Sequence, residues 1–299
     1  MSPAQVVMEP YLAKPWMNPL ATWRELTPLC AAQSCTHRAP IWNGVFGRSQ
    51  GVVTNHGWFC SPECFERSLS DNLFAILRRE RVMARTASRL PIGLLLMSRG
   101  EISHEDLKKA LQIQRKTGMR IGDCIRQIGT VTESAITAAL AAQWACPVFP
   151  AASVDPALAS LVPLVLLETY HMIPVHFGDS GKKLFVGFSE GVDYSVLYGM
   201  EQLLNCHTEA CMIPSTTLTE ALAQQQSREQ PDDVVIESHA SAAEIARMTT
   251  SYAQQIEAGE IRYAAIGDFV WVRLCGSRSP LNLLYHRHPQ PARIAAQLK

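Results

Sequence analysis

At 299 residues the chain has room for two or three small domains, each burying a core of its own. With 47% apolar and 18% charged residues it has the make-up of a soluble globular protein, and 27 basic against 27 acidic side chains leave no net charge to draw it to nucleic acid. The longest apolar run, Leu158 to Leu167, is interrupted by Ser160 and Pro163 and is too short to cross a bilayer. The first residues, with Pro3, Glu9, Pro10 and Pro15, lack the basic start and apolar stretch of a signal peptide. The protein is therefore expected in the cytoplasm without membrane insertion, where its nine cysteines serve as thiols or metal ligands rather than disulfides.

Residues 1–27 read as an irregular arm, and 28–88 as a zinc knuckle with a linking helix. Four residues separate Cys30 from Cys35, three separate Cys60 from Cys64, and twenty-four lie between the pairs. Two close pairs of thiols flanking a hairpin-sized segment are what a tetrahedral zinc ion requires, since each pair supplies two thiolates and their meeting in space closes a loop. The segments Ile41 to Phe46 and Val52 to Phe59 are predicted strands around a turn at Gly47 to Gly51. Ser61 then caps a helix with Pro62 at its first position, which puts Cys64 in the first turn. Both spacings are wider than the usual two residues, so His37 or His56 stays open as a replacement for one cysteine. So short a piece with few large apolar side chains would fold poorly without a metal, so a structural ion is expected, and a closed four-ligand shell leaves no open position for catalysis.

The helix is predicted to run to about Arg85, and its second half is basic through Arg78, Arg79, Arg81, Arg85 and on to Arg89. Such a run is a solvated helix face or, in the second reading of the chain, a nucleic-acid contact beside the knuckle.

From Pro91 to Gln143 the chain is one unit written twice. At an offset of 29 residues, Ile92, Gly93, Gly100, Ile102, Leu107, Leu111 and Gln114 recur as Ile121, Gly122, Gly129, Val131, Ile136, Leu140 and Gln143. Each copy reads as two short helices. Pro91 to Ser98 forms the first, Gly100 stops it in a left-handed conformation, and Ser103 with Asp106 makes a capping box for a helix over Glu105 to Arg115. Thr132 occupies the same capping place in the second copy. Leu107, Leu111 and Gln114 fall on one helical face, which thus carries a glutamine at its end, either a boundary residue or a ligand contact.

This block resembles the N-terminal domain of the assembly ATPases of type II secretion and type IV pilus systems, which in some members binds cyclic di-GMP. The family pattern is Arg, apolar, Gly, an apolar turn, a further Gly, and a helix ending Leu-x3-Leu-x2-Gln, given twice with a five-residue spacer. The second copy follows it through Arg120-Ile121-Gly122, Ile125, Gly129, Ile136, Leu140 and Gln143, with Arg115 to Met119 as spacer. The resemblance implies a ligand set of Gly93, Leu95, Gly100, Leu111 and Gln114 from the first copy, and Arg120, Ile121, Gly122, Ile125, Gly129, Leu140 and Gln143 from the second. In such a set glycines admit the backbone to the ligand, an arginine stacks or pairs, and a glutamine amide reads polar edges. The sequence departs from the pattern at Pro91, where the family has its first arginine and Arg89 lies two residues earlier, and at Arg126, where an apolar residue is usual.

Beyond Trp144 the pattern becomes mixed. Short helices broken at Pro163 cover Pro156 to Tyr170, strands are predicted over Met172 to Phe177 and Lys183 to Ser189, a helix over Tyr194 to Leu204, a strand over Thr208 to Ile213, and a helix capped by Ser215 to Gln225. This stretch also resembles the second, α/β half of the same family domain, so the likeness covers 89–226, with 89–150 helical and 151–226 α/β. A linker at 227–239 leads to a last unit at 240–299. There Ser241 and Glu244 start a helix, and strands follow at Ile261 to Ala265, Phe269 to Leu274 and Leu281 to Tyr285. The whole reads as a multidomain α+β protein of knuckle and long helix, tandem helical repeat packed on a small α/β part, and a C-terminal helix with a β-meander.

No Gly-x4-Gly-Lys-Ser/Thr loop, nucleophile elbow or HExxH occurs, so the chain is expected not to be an enzyme. Its expected role is regulatory or adaptor, binding cyclic di-GMP or docking on a secretion or pilus component. A scaffold with no small ligand is the third reading.

Overall fold

A computed structural model describes residues 28–39, 51–83, 89–129, 131–151, 154–178, 182–227, 233–237, 241–276 and 280–286, with side chains described to Leu73 in the first helix. The arm 1–27, the strand expected at 41–46 and the basic side chains from Arg78 to Arg85 fall outside them. The protein is a mixed α/β molecule with two sheets among the described residues, divided into a unit of 1–84, 198–205 and 231–299 and a unit of 85–197 and 206–230.

In the first unit, the strands β1 (Val52–Thr54) and β2 (Gly57–Phe59) form a hairpin, and α1 (Pro62–Met83) follows. The expected single strand from Val52 to Phe59 is thus two. Thr54 accepts the His56 amide at 3.0 Å and donates to the Gly57 carbonyl at 3.0 Å, while Gly57 takes a φ of 123°, so the chain reverses within two residues.

The second unit opens with the repeat: α2 (Ile92–Ser98), α3 (His104–Thr117), α4 (Ile121–Ile128) and α5 (Glu133–Trp144). Ser103 and Asp106 form the expected capping box, and Thr132 accepts the Ala135 amide. Pairs one repeat apart make the core: Leu96 with Ile125, Ile102 with Val131, and Ala110 with Ala139, all buried. A 3-10 turn (Pro156–Leu161) and α6 (Leu164–Thr169) lead to β3 (Met172–Phe177) and β4 (Lys183–Phe188). Then come α7 (Tyr194–Leu204), whose residues from Tyr198 on belong to the first unit, β5 (His207–Met212) and α8 (Ser215–Gln226). The sheet runs β3-β4-β5, antiparallel then parallel.

The end of the chain returns to the first unit. The stretch expected as a linker contains the strand β6 (Asp233–Ile236), whose apolar Val234-Val235-Ile236 was too short a run to stand out from its polar flanks. The helix α9 (Ala242–Gln255) and the meander β7 (Glu260–Ile266), β8 (Phe269–Cys275) and β9 (Leu281–His286) follow as expected. Sequence reading treats the knuckle and this C-terminal part separately, yet they share one six-stranded sheet in the order β2-β1-β7-β8-β9-β6. The hairpin joins at Thr54 against Ile261, and Asn55 continues the ladder with its side chain, donating to the Tyr263 carbonyl at 3.2 Å and accepting the Tyr263 amide at 3.3 Å. Phe65, Leu69 and Leu73 recur every four residues on α1 and are fully buried with Tyr263, Val270, Val272, Leu283 and Tyr285. At roughly 1.5–3 kcal/mol for each buried side chain, this face is a principal source of the unit's stability.

Candidate functional site

Two constellations stand out, one in each unit. In the first, Cys60 follows β2 directly and Cys64 lies in the first turn of α1, and the turn before the hairpin carries Cys30 and Cys35. Their four sulfur atoms lie within 4.8 Å of one another, with Cys35 to Cys60 and Cys60 to Cys64 both at 3.6 Å. Four thiolates bound at about 2.3 Å around a tetrahedral ion would be roughly 3.8 Å apart, so the donor set and its spacing suit zinc. Burial and the neighbouring thiols push the Cys60 thiol up to about 12, whereas the His37 backbone hydrogen bond and then the Cys60 thiol draw Cys35 down to about 7. Neither histidine left open by the spacing joins the cluster. His37 accepts the Cys30 amide through its main chain, and the His56 ring packs on Tyr263 at 4.4 Å between centroids.

The second constellation is a cleft of about 210 Å³ where the second repeat meets the α/β part of its own unit. Arg120, Ile121 and Gly122 at the start of α4 form one wall and Ile136 and Leu140 of α5 another, while Ser189, Glu190 and Ser215 come from beyond the repeat. The volume is below the roughly 300 Å³ at which pockets begin to enclose a small molecule, so the cleft admits one portion of a larger ligand. Gly122 leaves real space, because a methyl added there would touch only Ile136, at 3.7 Å.

The electrostatics of the cleft are crowded. The Arg120 guanidinium is ion-paired with Glu190 and meets His171 Nε2 at 3.3 Å, while His171 Nδ1 is 3.7 Å from Glu190. Burial, and then the Arg120 charge, hold the His171 imidazole below its ordinary value, so it is neutral at pH 7 and accepts from the guanidinium. Arg126 pairs with Asp123 at 3.0 Å and lies 3.7 Å from Glu133. Glu133 in turn accepts from the Ser215 hydroxyl at 2.6 Å, the Thr216 hydroxyl at 2.7 Å and the Thr216 amide at 3.0 Å. Burial opposes ionisation of this carboxyl, but those hydrogen bonds and Arg126 outweigh it and hold its pKa down. Ser215, expected as the cap of α8, therefore does not cap it with its own side chain; a glutamate from the repeat does so.

Of the residues implied by the resemblance, Arg120, Ile121, Gly122 and Leu140 line this cleft, and the others do not. Gly93 is buried against Leu107, which a methyl at that position would meet at 2.5 Å, so this glycine serves helix packing. Gly100 and Gly129 end their helices at φ values of 72° and 81°, with open space around them. Ile125 is a core residue, Leu95 and Gln114 are half-buried, and Leu111 is 39% exposed because Leu107, Ala110 and Ile113 supply the packed face of α3. Gln143 spends its amide on the Leu90 carbonyl at 2.7 Å, tying the end of the second copy to the entry of the first. Arg89, near the position of the missing arginine, stacks over the Trp144 ring at 3.4 Å from its centroid. His171, Glu190, Glu133 and Ser215 are site residues that no periodicity announces. Three of them lie outside the repeat, and the fourth, Glu133, stands at an unmatched position whose counterpart is His104.

The second unit is thus a tandem pair of helix hairpins followed by a small three-stranded sheet. No family model matches the chain. Over 148 residues, 48% of its length, it is 26% identical to the type IV pilus assembly ATPase PilB of Myxococcus xanthus (strain DK1622), in agreement with the resemblance carried by the repeat. The chain spans about a quarter (26%) of the length of that curated relative. Among solved structures it is similar to MshE with cdg, at 27% identity and a TM-score of 0.36 over 46% of this chain and 99% of that one. The N-terminal domain of XpsE matches at 16% identity and a TM-score of 0.35, over 44% and 92%. No helix among the described residues is long and apolar enough to cross a membrane.

Proposed function

We propose that this chain is a non-catalytic regulatory or adaptor protein whose second unit binds cyclic di-GMP through the second repeat. The observation that supports the reading is the convergence of Arg120, Ile121, Gly122 and Leu140, one run of the motif, on a single cleft with open space at the glycine. An arginine beside an unobstructed backbone and an apolar wall suits a phosphate and an adjoining flat base. Calorimetric titration with cyclic di-GMP tests it, with Arg120→Ala as control. Saturable heat that disappears in the variant is the expected result, and no heat from a folded protein sinks the reading. In that case the exposed Leu90, Leu94 and Leu111 of the first copy favour docking on a secretion or pilus component instead.

The same proposal assigns Cys30, Cys35, Cys60 and Cys64 one structural zinc ion. Because the knuckle hairpin is part of the C-terminal sheet, metal removal should loosen that sheet as well. Protein purified under reducing conditions is expected to carry about one zinc per chain. A metal-free chain whose melting is unchanged by chelator and by Cys60→Ser would show the thiols to be a buried cluster only.

A further inference from the structure

Both arginines of the cleft are already engaged by the protein's own carboxylates, and Asp123, Glu133 and Glu190 outnumber Arg120 and Arg126. A ligand bearing phosphates therefore enters a cleft that is acidic on balance, and it gains a guanidinium only by taking one from a carboxylate. The three carboxylates are not equivalent in this respect. Glu133 is committed to the start of α8 through three hydrogen bonds, and its release would undo the packing of that helix. Asp123 sits on the same helix as Arg126, three residues away, and is ion-paired with it; its charge reaches Arg120 but it makes no ion pair there. Glu190 stands in the bend after β4, and the contacts described for its carboxylate are those with Arg120 and His171. It can swing away without breaking any helix or strand.

We propose that Glu190 is a built-in competitor for the ligand's anionic group: it occupies Arg120 when the cleft is free and is displaced when a phosphate binds. This rests on the reading of the cleft as a cyclic-dinucleotide site and adds the residue that sets its affinity and selectivity. His171 completes the arrangement by receiving the other edge of the guanidinium, which keeps Arg120 over the cleft while its anion is exchanged. An anion must outbid a carboxylate at close range, so the site discriminates against weakly held, singly charged anions and in favour of a ligand anchored elsewhere by its base. Arg120 is 54% exposed, and an ion pair so placed contributes modestly, so removing the competitor is expected to tighten binding about two- to fivefold.

The experiment uses Glu190→Gln in the full chain and has two arms. In the first, phenylglyoxal modification of Arg120 is followed by mass spectrometry without ligand, with Arg126 as internal reference. Glu190→Gln should accelerate modification at Arg120 and leave Arg126 unchanged; equal rates at Arg120 overturn the proposal whatever the ligand turns out to be. In the second arm, cyclic di-GMP is titrated into both proteins. Tighter binding by the variant, or binding by the variant alone, is the expected outcome. Unchanged or weaker binding by the variant overturns the competition while leaving the dinucleotide reading in place. If neither protein binds and Arg120 is nevertheless unmasked, the dinucleotide reading fails, and displacement by this ligand fails with it. Matching melting curves for the two proteins show that the substitution has not acted through folding.

Discussion

The two copies of the repeat share a backbone and differ in what surrounds it. In the first, Gly93 lets α2 press on Leu107, and the space the missing side chain leaves is filled. In the second, the equivalent Gly122 faces Ile136 at ordinary contact distance, and the space is part of a cleft. His104 at the start of α3 is exposed, while its counterpart Glu133 reaches across to cap α8. Pro91 begins α2 with no side-chain cap, and Arg120 in the same place carries an ion pair. A duplicated motif thus preserves the helix hairpin, whose core pairs match one for one, and leaves the chemistry to whichever copy the rest of the unit packs against.

Substitutions at equivalent positions would break this contrast or sharpen it. The largest difference is expected between Glu133→Ala and His104→Ala. The first removes three hydrogen bonds to an ionised group and should cost about 2–3 kcal/mol of stability in urea unfolding, while the second should stay within about 0.5 kcal/mol. Equal losses would mean that the glutamate cap contributes little. Next comes the glycine pair. Gly93→Ala forces Leu107 to move and should destabilise by about 1–2 kcal/mol, whereas Gly122→Ala, in a helix with room for a methyl, should be neutral or stabilising by up to about 0.5 kcal/mol. The same Gly122→Ala change should weaken cyclic di-GMP binding by shrinking the cleft, which a titration would read directly.

The smallest effect is a pH dependence confined to the second copy's surroundings. The folded His171 has a lowered pKa, so the unfolded chain binds a proton there more readily than the folded one. The stability it leaves intact is full above the ordinary imidazole pKa and declines as the pH falls below that value toward the folded one. His171→Asn, which suits the left-handed backbone at φ 48°, should flatten this decline in melting curves taken between pH 5 and about pH 7.5. An unchanged slope would place the sensitivity elsewhere.

Much of this architecture is legible locally. The capping box at Ser103 and Asp106, the left-handed glycines at 100 and 129, and the 29-residue offset each express a constraint that acts within one turn or one hairpin. The meander at the end of the chain and the pairing of cysteines at short spacing are legible for the same reason. The failures share a cause as well. Val52 to Phe59 reads as one strand until Thr54 and Gly57 are seen to reverse it, and β6 hides in a polar stretch because an edge strand needs few apolar residues. Leu111 fits the helical face in periodicity, but the neighbouring helix packs against Ala110 and Ile113 instead.

The repeat, its helix ends and the two close cysteine pairs can be read from the chain alone, because capping, turn chemistry and ligand spacing depend on residues close together in it. The cleft beside the second copy, the carboxylate that holds Arg120, and the single sheet shared by the hairpin and the C-terminal strands emerge only on folding. These depend on contacts between residues far apart in the chain. Arg120 and Glu190 are 70 positions apart and Thr54 and Ile261 more than 200, and at such separations no periodicity links one partner to the other.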